Sequence, residues 1–413
     1  MHTIPFFRPD ITEAEIVEAA DTLRSGWITT GKKTKLFEKR LQETVFPSSG
    51  KAGSLICLNS ATAAEELNLR VWGIRPGDEV IVPAFTYTAT ASAAIHCGAT
   101  IRLIDIQKDG DPDTHAPEMD YNALHETITE KTKAVIPVDY GGILCDYETI
   151  CAIVSDRKES FCPVADDETM LGHTNHVLQS LLGRVAVVAD SAHALGAYKR
   201  IRDKWVSSAE LADFTSYSLH AVKNLTTAEG GIAAWKQEDL YPLYSLLSLH
   251  GQDRSAESKT FGNWEYDIIG PWFKYNMTDL AASVGLGQLK RLSDMQKRRE
   301  EIVGQYDSMC ERLGLIHLNH TGVNHRSNCH LYPVRIPGIN EEMRNNLIQK
   351  LAEKGVETNV HYKPLPMLTA YRDERKHFPN SYNYYQNLIT LPLYSLLTDD
   401  EVMYICECIQ TVL

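Results

Sequence analysis

From residue 55 onward the chain alternates short apolar runs with longer amphipathic stretches: SLICLNS, ATAAEELNLRVWGI, DEVIVPAF, TATASAAIHCGA and TIRLIDI follow one another. KAVIPVDY at 133–140 and RVAVVADSA at 184–192 continue the series. Short continuous apolar runs are what strands buried on both faces look like, and parallel strands need helical crossovers between them. The pattern predicts an α/β fold: a mostly parallel mixed sheet sandwiched by helices. In such sheets ligands bind beyond the carboxyl ends of the strands, so the loops after these runs are where chemistry is expected.

A chain of 413 residues suggests more than one domain. We read a large domain over 1–285 and a smaller C-terminal α+β domain over 286–413. The charged helical stretch QLKRLSDMQKRREEIVGQYDSMCERL connects them, and strands are predicted near HLYPVRI and VETNVHY. Residues 155–183 break the rhythm with polar and acidic side chains and read as a surface insertion. Its His173 and His176, with Asp166, Asp167 and Glu168, form a mixture more typical of a solvated loop than of a metal site, so no metal is predicted.

Composition narrows the function classes. With 43% hydrophobic and 23% charged residues the chain is of the soluble globular type. No apolar run reaches the roughly 18 residues a membrane span needs. The N-terminus lacks a basic segment followed by an apolar one, so a cytoplasmic location is expected. Nine cysteines, an odd number scattered through apolar segments without paired CxxC spacing, read as reduced core residues. A net charge of -13 argues against nucleic acid as a partner, while a local cluster can still hold an anionic substrate.

The loop SLHAVKNLTTAEGG places Lys223 between an apolar strand-like run and a Gly-Gly pair. It is either a solvated loop lysine or a functional one. Asp190 stands at another strand end, in VAVVADSAHALGA. Together the two fit a pyridoxal phosphate site, where a lysine forms a Schiff base and a carboxylate pairs with the pyridinium nitrogen; a plain buried Asp–Lys pair is the alternative. NSATAAEELNL puts Ser60, Ala61 and Thr62 where a strand passes into a helix, an anion-binding position that an ordinary N-cap would also occupy. Tyr87, in PAFTYTATA, lies where an aromatic ring could stack on the pyridine face or simply fill the core.

These pieces, with SYSLHAVKNLTTAEGG, LHGQDR, KYNMTDLAASVGLGQL and VHYKPLP, occur in an order that resembles the DegT/StrS-type sugar-nucleotide aminotransferases. The resemblance runs from GWITTGKKTKLFE to LPLYSLLTDDE, nearly the whole chain. It implies a fold type I pyridoxal phosphate enzyme. Lys223 would be the Schiff-base lysine and proton shuttle, Asp190 the pyridinium partner, Tyr87 the stacking ring, and His193 a neighbour of the ring hydroxyl. Ser60, Ala61, Thr62 and Ser218 would hold the phosphate. Asn276, in KYNMTDL, would reach the cofactor phosphate of a partner subunit, implying a homodimer with composite active sites.

The implied reaction moves an amino group from an amino acid, usually glutamate, to a nucleotide-linked ketosugar. Related sugar dehydratases carry histidine in place of this lysine, so Lys223 favours transamination. A non-enzymatic cofactor-binding regulator would bring a basic helical segment at one end of the chain, and neither end has one. GWITTGKKT resembles the substrate loop of members that aminate C4 of the sugar. Lys32 and Lys33 of that loop, and Arg254 of HGQDR, could meet a diphosphate or donor carboxylate or be plain surface charges, and Thr30 of the loop is taken as a further substrate contact. VHYKPLP has Pro366 where the family more often has histidine, and only His361 and Tyr362 are taken from it as substrate contacts.

Overall fold

The computed structural model describes residues 3–49, 54–237, 239–253, 264–371 and 377–413. The apolar runs become strands in chain order: β1 (Leu55–Leu58), β2 (Glu79–Pro83), β3 (Thr100–Ile104), β4 (Thr132–Val135) and β5 (Ala186–Asp190). A short hairpin, β6 (Tyr198–Ile201) and β7 (Lys204–Val206), precedes β8 (Phe214–Ser218) and β9 (Gly231–Trp235). Among the described residues the main sheet has the order β1-β9-β8-β5-β4-β2-β3. Its pairings are parallel from β3 through β8, and β9 is antiparallel to both neighbours. Every residue of β1, β4, β5, β8 and β9 is buried, whereas the edge strand β3 alternates with exposed positions. Burial on both faces explains why the inner runs show no polar alternation.

Helices cover the two faces. On one, the helix Ala61–Trp72 brings Trp72 against Phe214, and Trp235 stacks on Tyr244 with ring centroids 4.1 Å apart. On the other, Phe37, Leu41, Tyr217, Leu225 and Met277 form a second core with the helix Asp279–Leu289. Because β9 runs opposite to β8, its first residue lies at the same sheet edge as the last residues of β1, β5 and β8. Ser218 is paired with Gly231, and Leu58 is also paired with Gly231. That edge carries the site.

Residues 155–183 are more structured than a surface loop. They include a helix, Met170–Leu182, whose buried Gln179 accepts from the Val164 N–H at 2.9 Å and donates to the Trp72 carbonyl at 2.7 Å. Asn175 donates to the Val71 carbonyl at 2.6 Å. The insertion therefore satisfies carbonyls that the helix Ala61–Trp72 leaves open at its C-terminus. His173 is tied to Asp166 at 2.6 Å, and His176 Nδ1 donates to the Val164 carbonyl at 2.7 Å.

The C-terminal part begins with the helix Leu292–Leu313 and adds β10 (Ile316–His317), β11 (His325–Arg326), β12 (Tyr332–Arg335) and β13 (Leu388–Leu391). β12 is flanked antiparallel by β10 and β13, while β11 joins β6. The strand expected at VETNVHY does not form. Val356 bridges to Ile4 and Asn359 to Thr390, so this extended segment divides its pairing between two partners instead of building one ladder. The boundary expected at 285/286 falls inside the helix Asp279–Leu289, where Leu286 still packs with the first domain's core. Ile4, from the opposite end of the chain, is buried in the C-terminal core. We propose the division at the break between the helices Asp279–Leu289 and Leu292–Leu313, with the N-terminal segment docked on the second domain. Cys57, Cys97, Cys145, Cys310, Cys329 and Cys408 are buried as expected of core thiols, but Cys162 is exposed, because it lies in the insertion.

Replacing Gln179 by Leu would strand both the Val164 N–H and the Trp72 carbonyl. The expected loss is about 2 kcal/mol, seen as a lower urea midpoint. An unchanged midpoint would mean that the insertion does not support the helix.

Candidate active site

The loops at the carboxyl edge of the sheet enclose a cavity of about 350 Å³. Each wall comes from a different strand end. Ser60, Ala61 and Thr62 follow β1, Thr86 and Tyr87 follow β2, Asp190 ends β5 and Ser218 ends β8. Lys223 arrives on the loop between β8 and β9, and His361 and Tyr362 come from the C-terminal part. Ten of the expected residues thus meet here: Ser60, Ala61, Thr62, Tyr87, Asp190, His193, Ser218, Lys223, His361 and Tyr362 line one cavity.

The anion-binding end is built by the helix Ala61–Trp72. Ser60 Oγ accepts from the Ala63 N–H at 3.1 Å, leaving the first N–H groups of the helix, at the positive end of its dipole, on the cavity wall. Gly231 makes this approach possible: a Cβ there would sit 2.2 Å from the Ser60 carbonyl carbon and 2.4 Å from the Ala61 nitrogen.

At the other end, the buried Asp190 carboxylate accepts from Thr90 Oγ1 at 2.7 Å and from the Ala192 N–H at 3.1 Å. Burial pushes its pKa up, while these two donors and the positive charge of Lys223 pull against that. The Lys223 amine is pushed down to about 8 by burial, with Asp190 opposing. An amine lowered this far is a usable nucleophile near physiological pH.

Neutral imidazoles surround it. His193 Nδ1 accepts from the Gly141 N–H at 3.2 Å, which puts the ring proton on Nε2, 2.9 Å from the Tyr362 hydroxyl. Burial, then the charges of Lys223 and His361, drive His193 well below its ordinary pKa. His361 is pushed down to about 3 by burial and by Lys223. Tyr87 is 57% exposed and its ring lies 5.5 Å from that of Tyr362, so it forms the outer lip of the cavity and not part of the core.

Other expected residues stand apart. Asn276 donates to Thr30 Oγ1 at 2.5 Å, and both line a separate depression of about 400 Å³ with Lys35, Tyr241 and Gln252. Lys32 is exposed at the start of the helix Lys32–Val45, and Lys33 is paired with Glu18 at 3.0 Å. Arg254 lies outside the described residues.

Four residues of the site escape a reading of the sequence. Thr90 and Glu65 sit inside helices; Glu65 lines the cavity, accepts from Ser216 Oγ at 3.3 Å and keeps Oε1 buried without a partner. His330 and Asn224 lie behind Lys223. Glu65 had one available signal: an acid in an otherwise small and apolar turn, ATAAEEL, next to the anion-binding end.

A sequence profile of the DegT/DnrJ/EryC1/StrS aminotransferase family matches residues 9–161 and 183–410. The chain belongs to this family. The gap in the match coincides with the inserted helix Met170–Leu182. The spore coat polysaccharide biosynthesis protein SpsC of Bacillus subtilis is 34% identical over 423 aligned residues, covering 100% of this chain and 97% of its own. The putative sugar aminotransferase Spr1654 of Streptococcus pneumoniae, in its PLP form, superposes with a TM-score of 0.89 at 46% identity, over 100% of this chain and 98% of that one. Helicobacter pylori PseC shares the fold, with a TM-score of 0.80 at 24% identity over 99% of each chain. The protein is a fold type I, PLP-dependent aminotransferase. Its cavity suits the cofactor, with a glycine-cleared helix terminus at one end, a buried carboxylate at the other and an amine between.

Gly231→Ala should push the helix terminus off β9 and weaken PLP by at least roughly tenfold, the scale of losing a charge-assisted hydrogen bond. Pyridoxal, which lacks the phosphate, should lose much less. Equal losses for both ligands, measured by fluorescence titration, would show that the helix terminus does not hold the phosphate.

Proposed function

We propose that the protein transfers an amino group from an amino acid, glutamate by preference, to C4 of a nucleotide-linked ketosugar, in the biosynthesis of a surface polysaccharide or related amino sugar. The observation that carries this reading is the pairing, across one cavity, of a desolvated Lys223 with a buried Asp190. Spr1654 and SpsC, by their names, tie the reading to sugars and polysaccharide.

Bound in the cavity, pyridoxal phosphate supplies an electron-withdrawing ring that stabilises negative charge at the substrate carbon. In this reading Asp190 keeps the ring nitrogen protonated, and Ser60, Ala61, Thr62 and Ser218 anchor the phosphate. Lys223 is the attachment point and then the general acid/base that carries a proton to or from the substrate carbon. His193, whose proton is on Nε2, orients the Tyr362 hydroxyl over the same space. Burial raises the Tyr362 pKa, so this hydroxyl stays neutral and can serve a sugar oxygen as donor or acceptor. The same position held by histidine would lack the amine on which both steps depend. His220 does not replace it: this ring is directed to Glu229 at 3.6 Å.

Asn276 lines a depression separate from its own Lys223 cavity, which supports a composite site in a homodimer, in which Asn276 serves the partner's cavity. The substrate assignment is tested by incubating the enzyme with PLP, glutamate and a panel of nucleotide 4-keto and 3-ketosugars under mass detection. Transfer to 4-ketosugars is expected; transfer confined to 3-ketosugars, or to neither, rejects it.

The composite site has its own test. Lys223→Ala spoils the cavity of its own subunit, whereas Asn276→Ala would spoil the neighbour's. In a mixed dimer both defects fall in one cavity and leave the other whole, so verified mixed dimers should recover roughly half of wild-type activity. No gain over the parent variants would place Asn276 within its own subunit's chemistry or outside it altogether.

A further inference from the structure

Beside Lys223 lies a second cavity of about 140 Å³, whose lining includes Phe6, Phe7, Val222, His330 and Leu393 and shares His361 and Tyr362 with the first. Lys223 borders both this cavity and the larger one. Its amine stands 3.5 Å from His330 Nε2, at the long end of hydrogen-bond range. His330 is buried, and its other nitrogen lies 3.0 Å from Asn224 Oδ1.

The roles of these atoms follow from one fixed point. Asn224 Nδ2 donates to the Asn328 carbonyl at 2.5 Å, so the amide oxygen is the atom turned toward His330. An amide oxygen only accepts, which puts the ring proton of a neutral His330 on Nδ1. Nε2 then holds a lone pair aimed at the lysine. Asn328 is itself anchored, donating to the His193 and Leu195 carbonyls at 2.8 and 2.9 Å. The chain from the Asn328 carbonyl through Asn224 to His330 thus presents Lys223 with an acceptor that carries no charge.

We propose that His330 is a positioning residue for Lys223, and that its Nε2 holds the amine whenever the lysine is not joined to the cofactor. The inference rests on Lys223 being the attachment lysine. The alternative partner of a free amine in this cavity is Asp190, and an ion pair with it would keep Lys223 charged and draw it from its place of attack. A neutral acceptor does neither: an amine that donates one N–H to an imidazole keeps its own lone pair for attack. The ring can play this part because burial, and after it the positive charges of Lys223 and Arg299, hold His330 well below its ordinary pKa. The titratable groups that line the two cavities with Lys223 are Glu65, Tyr87, Asp190, His193, His220, Glu229, His330, His361 and Tyr362, and of these Asp190 is the one that draws the amine toward its charged form.

The test follows growth of the visible absorption band when PLP is added to apoprotein, across pH 6 to 10 (roughly the range spanning free imidazole and lysine). In the wild type the attachment rate should rise through a midpoint near 8, where burial places the amine. His330→Leu should attach PLP about tenfold more slowly at pH 8, the effect of losing a hydrogen bond to an ionisable group, with the midpoint moved up as Asp190 captures the ammonium. His330→Gln, whose Oε1 is an acceptor at nearly the Nε2 position, should restore the rate to within about threefold. In a Lys223→Ala background, His330→Leu should leave noncovalent PLP affinity unchanged. Wild-type attachment by His330→Leu overturns the proposal, and so does an equal loss of affinity without the lysine, since His330 would then act on the cofactor or the fold directly. Borohydride fixing PLP to a lysine other than Lys223 would instead overturn the reading of Lys223 itself.

Discussion

The structure depends on keeping one carboxylate charged where burial opposes charge. Asp190 is the last residue of β5, in the middle of the sheet, with β4 and β8 on either side. An isolated carboxylate there would take up a proton. Two hydrogen bonds, from Thr90 and from the Ala192 N–H, and the facing Lys223 counter that tendency. Each depends on a different part of the fold: Thr90 on the helix after β2, Ala192 on the turn after β5, Lys223 on the loop after β8. The strands that appear in the sequence as plain apolar runs are what bring the three together.

Two further acids lie close by, and they yield first. Glu65 is driven well above its ordinary pKa by burial and by the negative charge of Asp190. Asp139 is raised to about 7 by burial, against hydrogen bonds from Ser191, Cys145 and Tyr147, with Asp190 adding to the rise. Neighbouring carboxylates in a shared low-dielectric region do not all ionise together. Hydrogen bonding alone does not set the order, since Glu65 receives one weak donor at 3.3 Å, Asp190 two and Asp139 three; what Asp190 has besides its donors is the facing charge of Lys223. A protonated Glu65 adds no second negative charge beside Asp190, and its Oε1 stays buried without a partner.

What was legible in the sequence follows the same division. Parallel strands announce themselves because double-sided burial removes alternation, so β1 through β5 and the ends they expose could be located, and with them Asp190, Lys223 and the Ser60 turn. The supporting layer could not. Thr90 and Glu65 occupy helix positions where polar residues usually face water, and apart from the acid's place in the small, apolar turn ATAAEEL nothing in TATASAAIH or ATAAEELNL says that these faces turn inward. His330 precedes β12, far along the chain, and its nearness to Lys223 is a product of domain packing. VETNVHY misled for a related reason: its composition suits a strand, but its neighbours come from Ile4 and Thr390, two separate places, and the pairing is divided between them. Arrangement between distant segments leaves no local pattern.

The electrostatics of the cavity also bear on where a substrate's charge is met. Among the described residues lining it, Lys223 is the one lysine or arginine, and it is assigned to chemistry. His193 and His361 are held neutral by burial and by that lysine, so they provide hydrogen bonds but no countercharge. The helix terminus after Ser60 suits one anionic group, which the cofactor phosphate satisfies. On the function proposed above, a nucleotide-linked sugar and an amino-acid donor would bring additional negative charge, and among the described residues no further lysine or arginine lines the cavity to meet it. A lysine or arginine for that charge would then come from beyond the cavity's own lining. Lys35 and Lys274 line the same depression as Asn276, separate from the Lys223 cavity of their own subunit, and Lys274 donates to Asn276 Oδ1 at 2.5 Å. Substrate charge and the composite site are therefore one question: if a second subunit's Asn276 closes the cofactor end, the cations beside it close the substrate end as well.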